Sequence, residues 1–257
     1  MRKIINNEGK LDLDSGIFFG AGVFETILVK EEAKFLDYHF SRLDKGLIRL
    51  GLKPLYEKEE VLKYIESLNI TNKALKITVT EKNIIITYRD IPYTKEDYNK
   101  GFKIKISEVL RNSTSILPSI KSINYIENII EKRKAVDDGF DDVLFFNEKG
   151  YLCETSTSNI FCIKDGVIST PKISNGLLNG TVRNWVIENY NVYENNITKE
   201  QLKNMDEVFV TNSLFGIMKI KYIEEVAFKN INITSEIAGK YNEIINGTNG
   251  GLNIYGR

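Results

Sequence analysis

The sequence predicts an α+β fold in two parts, residues 1–114 and 115–257. Up to about residue 109 it breaks into short strand patterns joined by hairpin-type turns and short helical runs. Beyond residue 120 it reads as a helix, a β-rich block, and then further helices and strands. Between the two, residues 110–120 (LRNSTSILPSI) have no period, are rich in Ser, Thr and Asn, and contain Pro118, the composition of a linker.

Residues 1–13 alternate weakly and read as a first strand. Residues 22–30 (GVFETILVK) set Val23, Glu25, Ile27 and Val29 on one face and Phe24, Thr26 and Leu28 on the other, the pattern of a strand buried on part of both faces. Residues 30–34 read as a hairpin turn and Phe35-Leu36 as the start of the return strand. Asp37 then caps a helix to about Leu50, with Leu43, Leu47 and Leu50 at helical spacing and Gly51 and Pro54 ending it. A second helix is expected at 57–67, strands at 74–80 and 84–89, a short helix at 94–100 and a strand at 102–109. After the linker come a helix at 124–138, the β-rich block at 142–170, a helix at 181–190, strands near 206–211 and 217–228, and a helix near 234–246. The tail, GTNGGLNIYGR, reads as frayed.

Hydrophobic residues make up 42% of the chain and charged residues 27%, the profile of a soluble globular protein. A formal net charge of zero gives no electrostatic reason to expect nucleic acid or an anionic membrane as a partner. No apolar run reaches the roughly 18 residues of a membrane-spanning helix. The start, MRKIINNEGKLDLD, lacks the apolar core of a signal peptide, so a cytoplasmic location is expected. Cys153 and Cys162 read as a disulfide or as two buried thiols, and the missing secretion signal favours thiols. No metal is expected.

The chemistry concentrates between residues 121 and 183. Lys121 precedes a helix-like run and has Leu117, Pro118, Ile120 and Ile123 around it in sequence. An apolar setting lowers an amine's pKa and favours Schiff-base chemistry with an aldehyde. Glu154 opens the hydroxyl-rich patch Glu154-Thr155-Ser156-Thr157-Ser158-Asn159, and a carboxylate can pair with a pyridinium nitrogen. Gly180-Thr181-Val182-Arg183 opens a second helix, whose N-terminal N–H groups can hold a phosphate. Pyridoxal 5'-phosphate offers all three handles. Plainer readings stand beside these: most lysines are solvated surface charges, Glu154 is a strand-end carboxylate, and Arg42 makes a surface salt bridge.

The ordered motifs resemble the class IV aminotransferases, the fold-type IV pyridoxal phosphate enzymes. The family pattern is carried by Lys121, Asn124-Tyr125, Ala135, Gly139, Asp141, Glu154, Asn159-Ile160-Phe161, Thr170-Pro171, Leu178, Gly180 and Arg183. The N-terminal signature is Phe19-Gly20-Ala21-Gly22-Val23-Phe24-Glu25-Thr26, then His39 and Arg42-Leu43. The resemblance covers residues 16–218. It implies a two-domain, D-amino-acid aminotransferase-like fold with the cofactor at the domain interface and a homodimer completing each pocket. By resemblance, Lys121 holds the cofactor, Glu154 faces its ring nitrogen, and Arg42 reaches its phosphate, with His39 supporting Arg42 from a partly buried position. Asn159 fixes the loop, while Thr157 and Ser158 touch the cofactor or loop backbone. Many relatives have G-I-T-R where this chain has Gly180-Thr181-Val182-Arg183, so the phosphate contact rests on the helix N-terminus rather than on a hydroxyl at 182.

The segment Thr211-Asn212-Ser213-Leu214-Phe215-Gly216-Ile217 is similar to 4-amino-4-deoxychorismate lyases, as is Arg111-Asn112-Ser113; Lys219-Ile220 replaces their usual Pro-Val. The resemblance implies a lyase that releases pyruvate from aminodeoxychorismate to form 4-aminobenzoate, a step of folate biosynthesis. Phe24, Arg89 and Arg111 would contact the substrate, with Asn212 and Ser213 beside the cofactor. Two alternatives remain at this point. One is a class IV aminotransferase acting on D-amino acids or branched-chain amino acids. The other is an inactive binding or scaffold protein on the same fold, against which the intact set Lys121, Glu154 and Arg42 argues.

Overall fold

The computed structural model describes residues 2–6 and 9–247, so the tail beyond Gly247 lies outside the described residues. The elements in chain order are β1 (Lys3–Ile5), α1 (Ser15–Phe19), β2 (Val23–Val29), α2 (Leu36–Arg49), α3 (Lys58–Ser67), β3 (Lys73–Val79), β4 (Asn83–Asp90), α4 (Lys95–Lys100) and β5 (Phe102–Ile106). After the linker follow α5 (Ile126–Asp137), β6 (Asp142–Phe146), β7 (Leu152–Thr155), β8 (Asn159–Lys164), β9 (Val167–Pro171), α6 (Thr181–Asn189) and β10 (Val192–Asn195). The chain continues through α7 (Lys199–Lys203), β11 (Glu207–Asn212), β12 (Gly216–Ile223), β13 (Val226–Ala227) and α8 (Asn232–Asn246).

The smaller sheet has the order β1-β4-β3-β2, with β2, β3 and β4 antiparallel in sequence. Strand residues in register share a face. Val23, Ile27, Leu75, Ile77, Ile84 and Ile86 therefore line one face, which packs on Phe40, Leu43 and Leu47 of α2 and on Val61 and Ile65 of α3. The opposite face carries the row Thr26, Lys76, Thr87 and next to it Leu28, Ala74, Arg89.

The larger sheet runs β10-β9-β8-β11-β12-β5-β6-β7, and β7 also pairs with β8. Strands β8, β11, β12, β5, β6 and β7 thereby close into a barrel. Its interior is filled by Phe102, Ile104, Leu144, Phe146, Leu152, Ile160, Cys162, Val208, Val210, Met218 and Ile220. On the outside of β8 and β11, Phe161 stacks on Phe209 with ring centroids 4.8 Å apart, and α6 and α8 cover them through Val182, Trp185, Val186, Ile237 and Tyr241. Between β6 and β7 the register shifts. A bulge of this kind re-aims side chains. Cys153 packs outside the barrel against Ala135, Val143, Phe145 and Leu177, and Glu154 beside it also faces outward, in register with Asn159.

The structure corrects several expectations. No return strand begins at Phe35. A bridge from Val29 to Ala33 closes the turn, Phe35 takes φ 55°, and its ring stacks on Tyr241, so the chain turns directly into α2. Asp37 does not cap that helix, whose N-cap is Phe35 with no side-chain hydrogen bond. The strand beginning at Phe102 ends at Ile106 and pairs in parallel with β6 and β12, so a segment ahead of residue 114 belongs to the larger sheet. Helices α1 and α7 and strand β10 were not legible as periodic runs. Both cysteines are free and buried. Among the described residues, no helix is long and apolar enough to cross a membrane.

Candidate active site

A cavity of about 690 Å³ opens between the polar face of the smaller sheet and the outer face of the barrel. Phe24, Thr26, Lys76, Thr87 and Arg89 line one wall, and Glu154, Asn159 and Thr211 the other. The linker and the start of α6 close its sides.

Lys121 reaches the cavity because its segment is strapped to the start of β2. The Phe24 N–H donates to the Lys121 carbonyl at 2.8 Å, the Ile123 N–H donates to the Gly22 carbonyl at 3.0 Å, and Val23 bridges Ser122. The next turn is fixed by Asn124, whose amide donates to the Gly20 carbonyl at 2.8 Å; a Cβ on Gly20, at φ 69°, would meet the Asn124 side chain at 2.3 Å. The Lys121 Nζ lies 4.4 Å from the Phe24 ring centroid and 5.8 Å from that of Tyr125. Two aromatic rings thus stand beside the amine, and the sequence-adjacent Leu117, Pro118 and Ile120 line the same cavity. Burial, and then the Arg42 charge, lower its pKa to about 8, against the pull of Glu25 and Glu154.

Glu154 stands on the facing wall. One carboxylate oxygen accepts from the Leu178 N–H at 3.1 Å, and the other has no hydrogen-bond partner among the described residues. Burial raises its pKa to about 7, although Arg111, the Leu178 N–H and Lys121 pull it down. In register beside it, Asn159 donates to the Leu178 carbonyl at 2.7 Å. A Cβ on Gly180 would come within 2.1 Å of the Asn159 oxygen, which is why glycine stands where α6 begins.

Arg42 is not a surface salt bridge. Its Nε and Nη2 donate to the two oxygens of Glu25 at 2.7 and 2.6 Å, and its Nη1 donates to the Asn179 carbonyl at 3.2 Å. His39 is fully buried rather than partly so, and it touches Glu25, 2.6 Å from Nδ1, rather than Arg42. Burial lowers the His39 pKa, so the neutral ring donates through Nδ1, while the Arg42 and His39 partners hold Glu25 down at about 2 despite its burial. Sequence reasoning named Glu25 but missed its role as the partner of Arg42 and His39; the signal was a lone acid on the apolar face of β2. Thr181 and Val182 follow Gly180 at the start of α6, which no side chain caps. The Val182 side chain is in the core, and Arg183 is wholly internal, donating to Asn179, Pro171 and Glu194.

The loop after Glu154 is pinned by Asp142, whose carboxylate accepts from the hydroxyls of Thr155, Ser156 and Thr157. The Ser156 carbonyl accepts from the Tyr125 hydroxyl and, at 2.7 Å, from the Asn128 amide. Thr157 and Ser158 line the cavity. Asn212 closes a tight turn by accepting from the Leu214 and Phe215 N–H groups, both at 2.9 Å, and sets Ser213 at the cavity edge.

Of the three residues expected to meet a substrate, Phe24 lies in the wall with Lys76 4.6 Å above its ring, on the same ring that Lys121 approaches. Arg89 is exposed on β4, with only a 3.4 Å bond to the Asp90 carbonyl. Arg111 is committed internally: it donates to Glu127 at 2.5 Å and to Asn128 at 2.7 Å, and its guanidinium lies 3.8 Å from the Phe145 ring centroid. Lys76 was not singled out in the sequence, because alternation along β3 does not say which face meets a cavity.

The depressed pKa of Lys121 has a stability consequence. The penalty on the ammonium is complete below pH 8 and vanishes as pH rises toward 10.5, the ordinary value. The interval corresponds to about 3 kcal/mol at most, and water in the cavity screens part of it. We expect Lys121→Met to stabilise the cofactor-free protein by about 2 kcal/mol at pH 7 in urea unfolding, with the gain shrinking above pH 8. A destabilised variant would contradict the assignment of Lys121 to a buried, charge-penalising position.

The class IV amino-transferase family model matches residues 22–223, a span that contains both walls of the cavity. The chain is 27% identical over 246 residues to the aminodeoxychorismate lyase of Bacillus subtilis (strain 168), covering 84% of this chain and 82% of that protein. It is 28% identical over 269 residues to a Rickettsia bellii protein named "Probable branched-chain-amino-acid aminotransferase", covering 91% and 90%. The crystal structure of 4-amino-4-deoxychorismate lyase from Pseudomonas aeruginosa superposes with a TM-score of 0.84 at 21% identity over 91% of this chain and 95% of that one, a likeness that shows the fold alone. With the family match spanning the strapped lysine, the outward-facing glutamate and the uncapped start of α6, the chain belongs to the class IV aminotransferases, enzymes that work with pyridoxal 5'-phosphate.

Proposed function

We propose that the protein is a 4-amino-4-deoxychorismate lyase. Its residues fit pyridoxal 5'-phosphate. Lys121 offers an amine of lowered pKa, Glu154 a carboxylate oxygen without a partner, and α6 an N-terminus without a side-chain cap. Lys121 would hold the cofactor covalently, Glu154 would face its ring nitrogen, and the Thr181 and Val182 N–H groups with Arg42 would hold the phosphate. When bound, the cofactor supplies an electron sink.

Two cations facing the cavity without a carboxylate partner carry the reading. Among the described residues, neither Lys76 nor Arg89 makes a salt bridge, and Arg89 lies close enough to add to the burial that lowers the Lys76 pKa. Aminodeoxychorismate is a dicarboxylate, and these two cations suit its two charges. A branched-chain amino acid brings one carboxylate and an apolar side chain, for which this wall is ill matched. The similarity to the Bacillus subtilis lyase supports the same choice.

With a pKa near 8, the Lys121 amine can exchange protons at neutral pH. We assign to it removal of the proton from the amine-bearing ring carbon. The enolpyruvyl oxygen on the neighbouring carbon then leaves, and the ring becomes aromatic. Lys121 also returns a proton to the departing group, since the Tyr125 hydroxyl is engaged by the Ser156 carbonyl and burial pushes its pKa up. With the cofactor bound, the Glu154 carboxylate would face the ring nitrogen and favour its protonated form.

Given aminodeoxychorismate, the protein is expected to release pyruvate and 4-aminobenzoate in equal amounts with no 2-oxo acid consumed. An aminotransferase would need a 2-oxo acid to turn over. Rapid amino transfer from D-alanine or L-leucine to 2-oxoglutarate, with no 4-aminobenzoate from the first substrate, would replace the lyase by the aminotransferase reading.

The same proposal includes a division near residue 114, with β5 lent to the larger sheet, and a homodimer. Ile126, Ile129 and Ile130 form an exposed stripe on α5, and Ile116 and Leu117 in the linker are also exposed. An apolar surface of this kind beside the cavity is suited to a second copy of the chain. Analytical ultracentrifugation at micromolar concentration should give a dimer, and a fully active monomer would refute it.

A further inference from the structure

Behind the β11–β12 turn lies a second cavity, of about 350 Å³, which the chemistry above does not use. It sits between the C-terminal ends of β2 and β4 and the helix α8, and it shares Tyr93 and Leu214 with the catalytic cavity. Its volume is at the small end of the range of small-molecule sites, about 300–1,000 Å³.

One wall is aromatic and apolar, made by Tyr93, Leu214 and Phe215, with the Tyr93 and Phe215 rings edge to face at 5.1 Å. Lys30 is the only basic residue in the lining; it is half-buried and makes no ion pair among the described residues. The one acid there, Asp90, is bound by Lys73 at 2.5 Å, and its side chain is 87% exposed to solvent. Lys30 thus keeps an unmatched positive charge in a partly apolar recess, which favours an anionic guest.

Tyr241 of α8 carries an independent observation. It is 2% exposed. Its ring stacks on Phe35, meets Trp185 edge to face at 5.1 Å, and lies against Gly216, where a Cβ would come within 2.4 Å of it. With the ring enclosed in this way, the hydroxyl is the part left to face the cavity that Tyr241 lines. That hydroxyl has no hydrogen-bond partner among the described residues, whereas that of Tyr98, in the same lining, donates to the Phe215 carbonyl at 2.9 Å. Burial pushes the Tyr241 pKa up, so the hydroxyl keeps its proton and is a donor. Phenylalanine would fill the same space without leaving a buried donor unmatched.

We propose that this second cavity binds a small aromatic monocarboxylate. Lys30 supplies the countercharge, Tyr241 the hydroxyl donor, and Leu214 and Phe215 the apolar surface for the ring. One unpaired cation calls for one carboxylate, and the aromatic wall favours a planar ring. The assignment rests on this cavity and not on the lyase reading; under that reading the product, 4-aminobenzoate, is itself such a molecule.

The test uses the holoenzyme reduced with borohydride, so that the cofactor stays in the catalytic cavity. Binding of benzoate and of the uncharged benzamide is measured by calorimetry on wild type, Lys30→Gln, Tyr241→Phe and Lys76→Met. Wild type should bind benzoate saturably at one site, and benzamide about tenfold more weakly. Lys30→Gln should weaken benzoate about tenfold and leave benzamide unchanged. Tyr241→Phe should weaken benzoate about fivefold, the loss expected of one hydrogen bond. Lys76→Met, in the catalytic cavity, should bind benzoate as wild type does. Lys30→Gln alters a half-buried position and serves if Tyr241→Phe does not fold. No saturable binding of benzoate, or a loss caused by Lys76→Met and not by Lys30→Gln, would overturn the proposal. Benzoate binding retained in a protein that makes no 4-aminobenzoate from aminodeoxychorismate would remove the lyase reading alone.

Discussion

The rest of the structure is arranged around two opposite charges held in one cavity. Burial pushes Lys121 down to about 8 and Glu154 up to about 7, each toward the range where proton exchange occurs at neutral pH. The two residues are on separate walls and are held there by different devices. Lys121 is carried by a segment hydrogen-bonded to the edge of β2, and Glu154 by a register shift between β6 and β7 that turns it out of the barrel. Neither residue gains stability from its position. Such a cost is characteristic of residues kept for function rather than for folding.

Glu25 makes the contrast. It is as deeply buried as any carboxylate among the described residues, yet the charge of Arg42 and contact with His39 hold its pKa at about 2. Its ion pair therefore stabilises the fold above the ordinary glutamate range, and that contribution is lost only as pH falls toward 2. What separates a fixed structural carboxylate from a titratable one is the number of committed donors. Glu25 receives bonds on both oxygens from Arg42 and one from His39, and Glu154 receives one in all. By fixing Arg42 beside the Asn179 carbonyl, Glu25 also sets the cationic edge of the cavity next to α6.

Much of this was legible in the sequence. Lys121, Glu154 and Gly180 stand in a spacing that suits one cofactor, and they do line one cavity. The alternation of β2 gave both its faces, and helical periodicity gave α2, α3, α5, α6 and α8 to within a few residues. The misses share a physical origin. The parallel pairing of β5 with β6 and β12, the bulge that turns Glu154 outward, and the barrel closure through β7 and β8 are long-range register choices, which local pattern does not encode. Arg111 looked like a free anion binder, but its Nη1 and Nη2 are taken by Glu127 and Asn128, residues on a helix that local sequence does not place beside it. Lys76 went unremarked, and Glu25 was named without its role, for the same reason: a strand pattern shows that two faces differ, not which one meets a site.

The central claim, that the Lys121 amine is the group that holds the cofactor, is tested most directly by borohydride reduction of the cofactor-loaded protein followed by peptide mass mapping. The account predicts a single modified peptide, with the added pyridoxyl phosphate mass on Lys121. Modification of a different lysine, or none at all in a protein that retains activity, would contradict it.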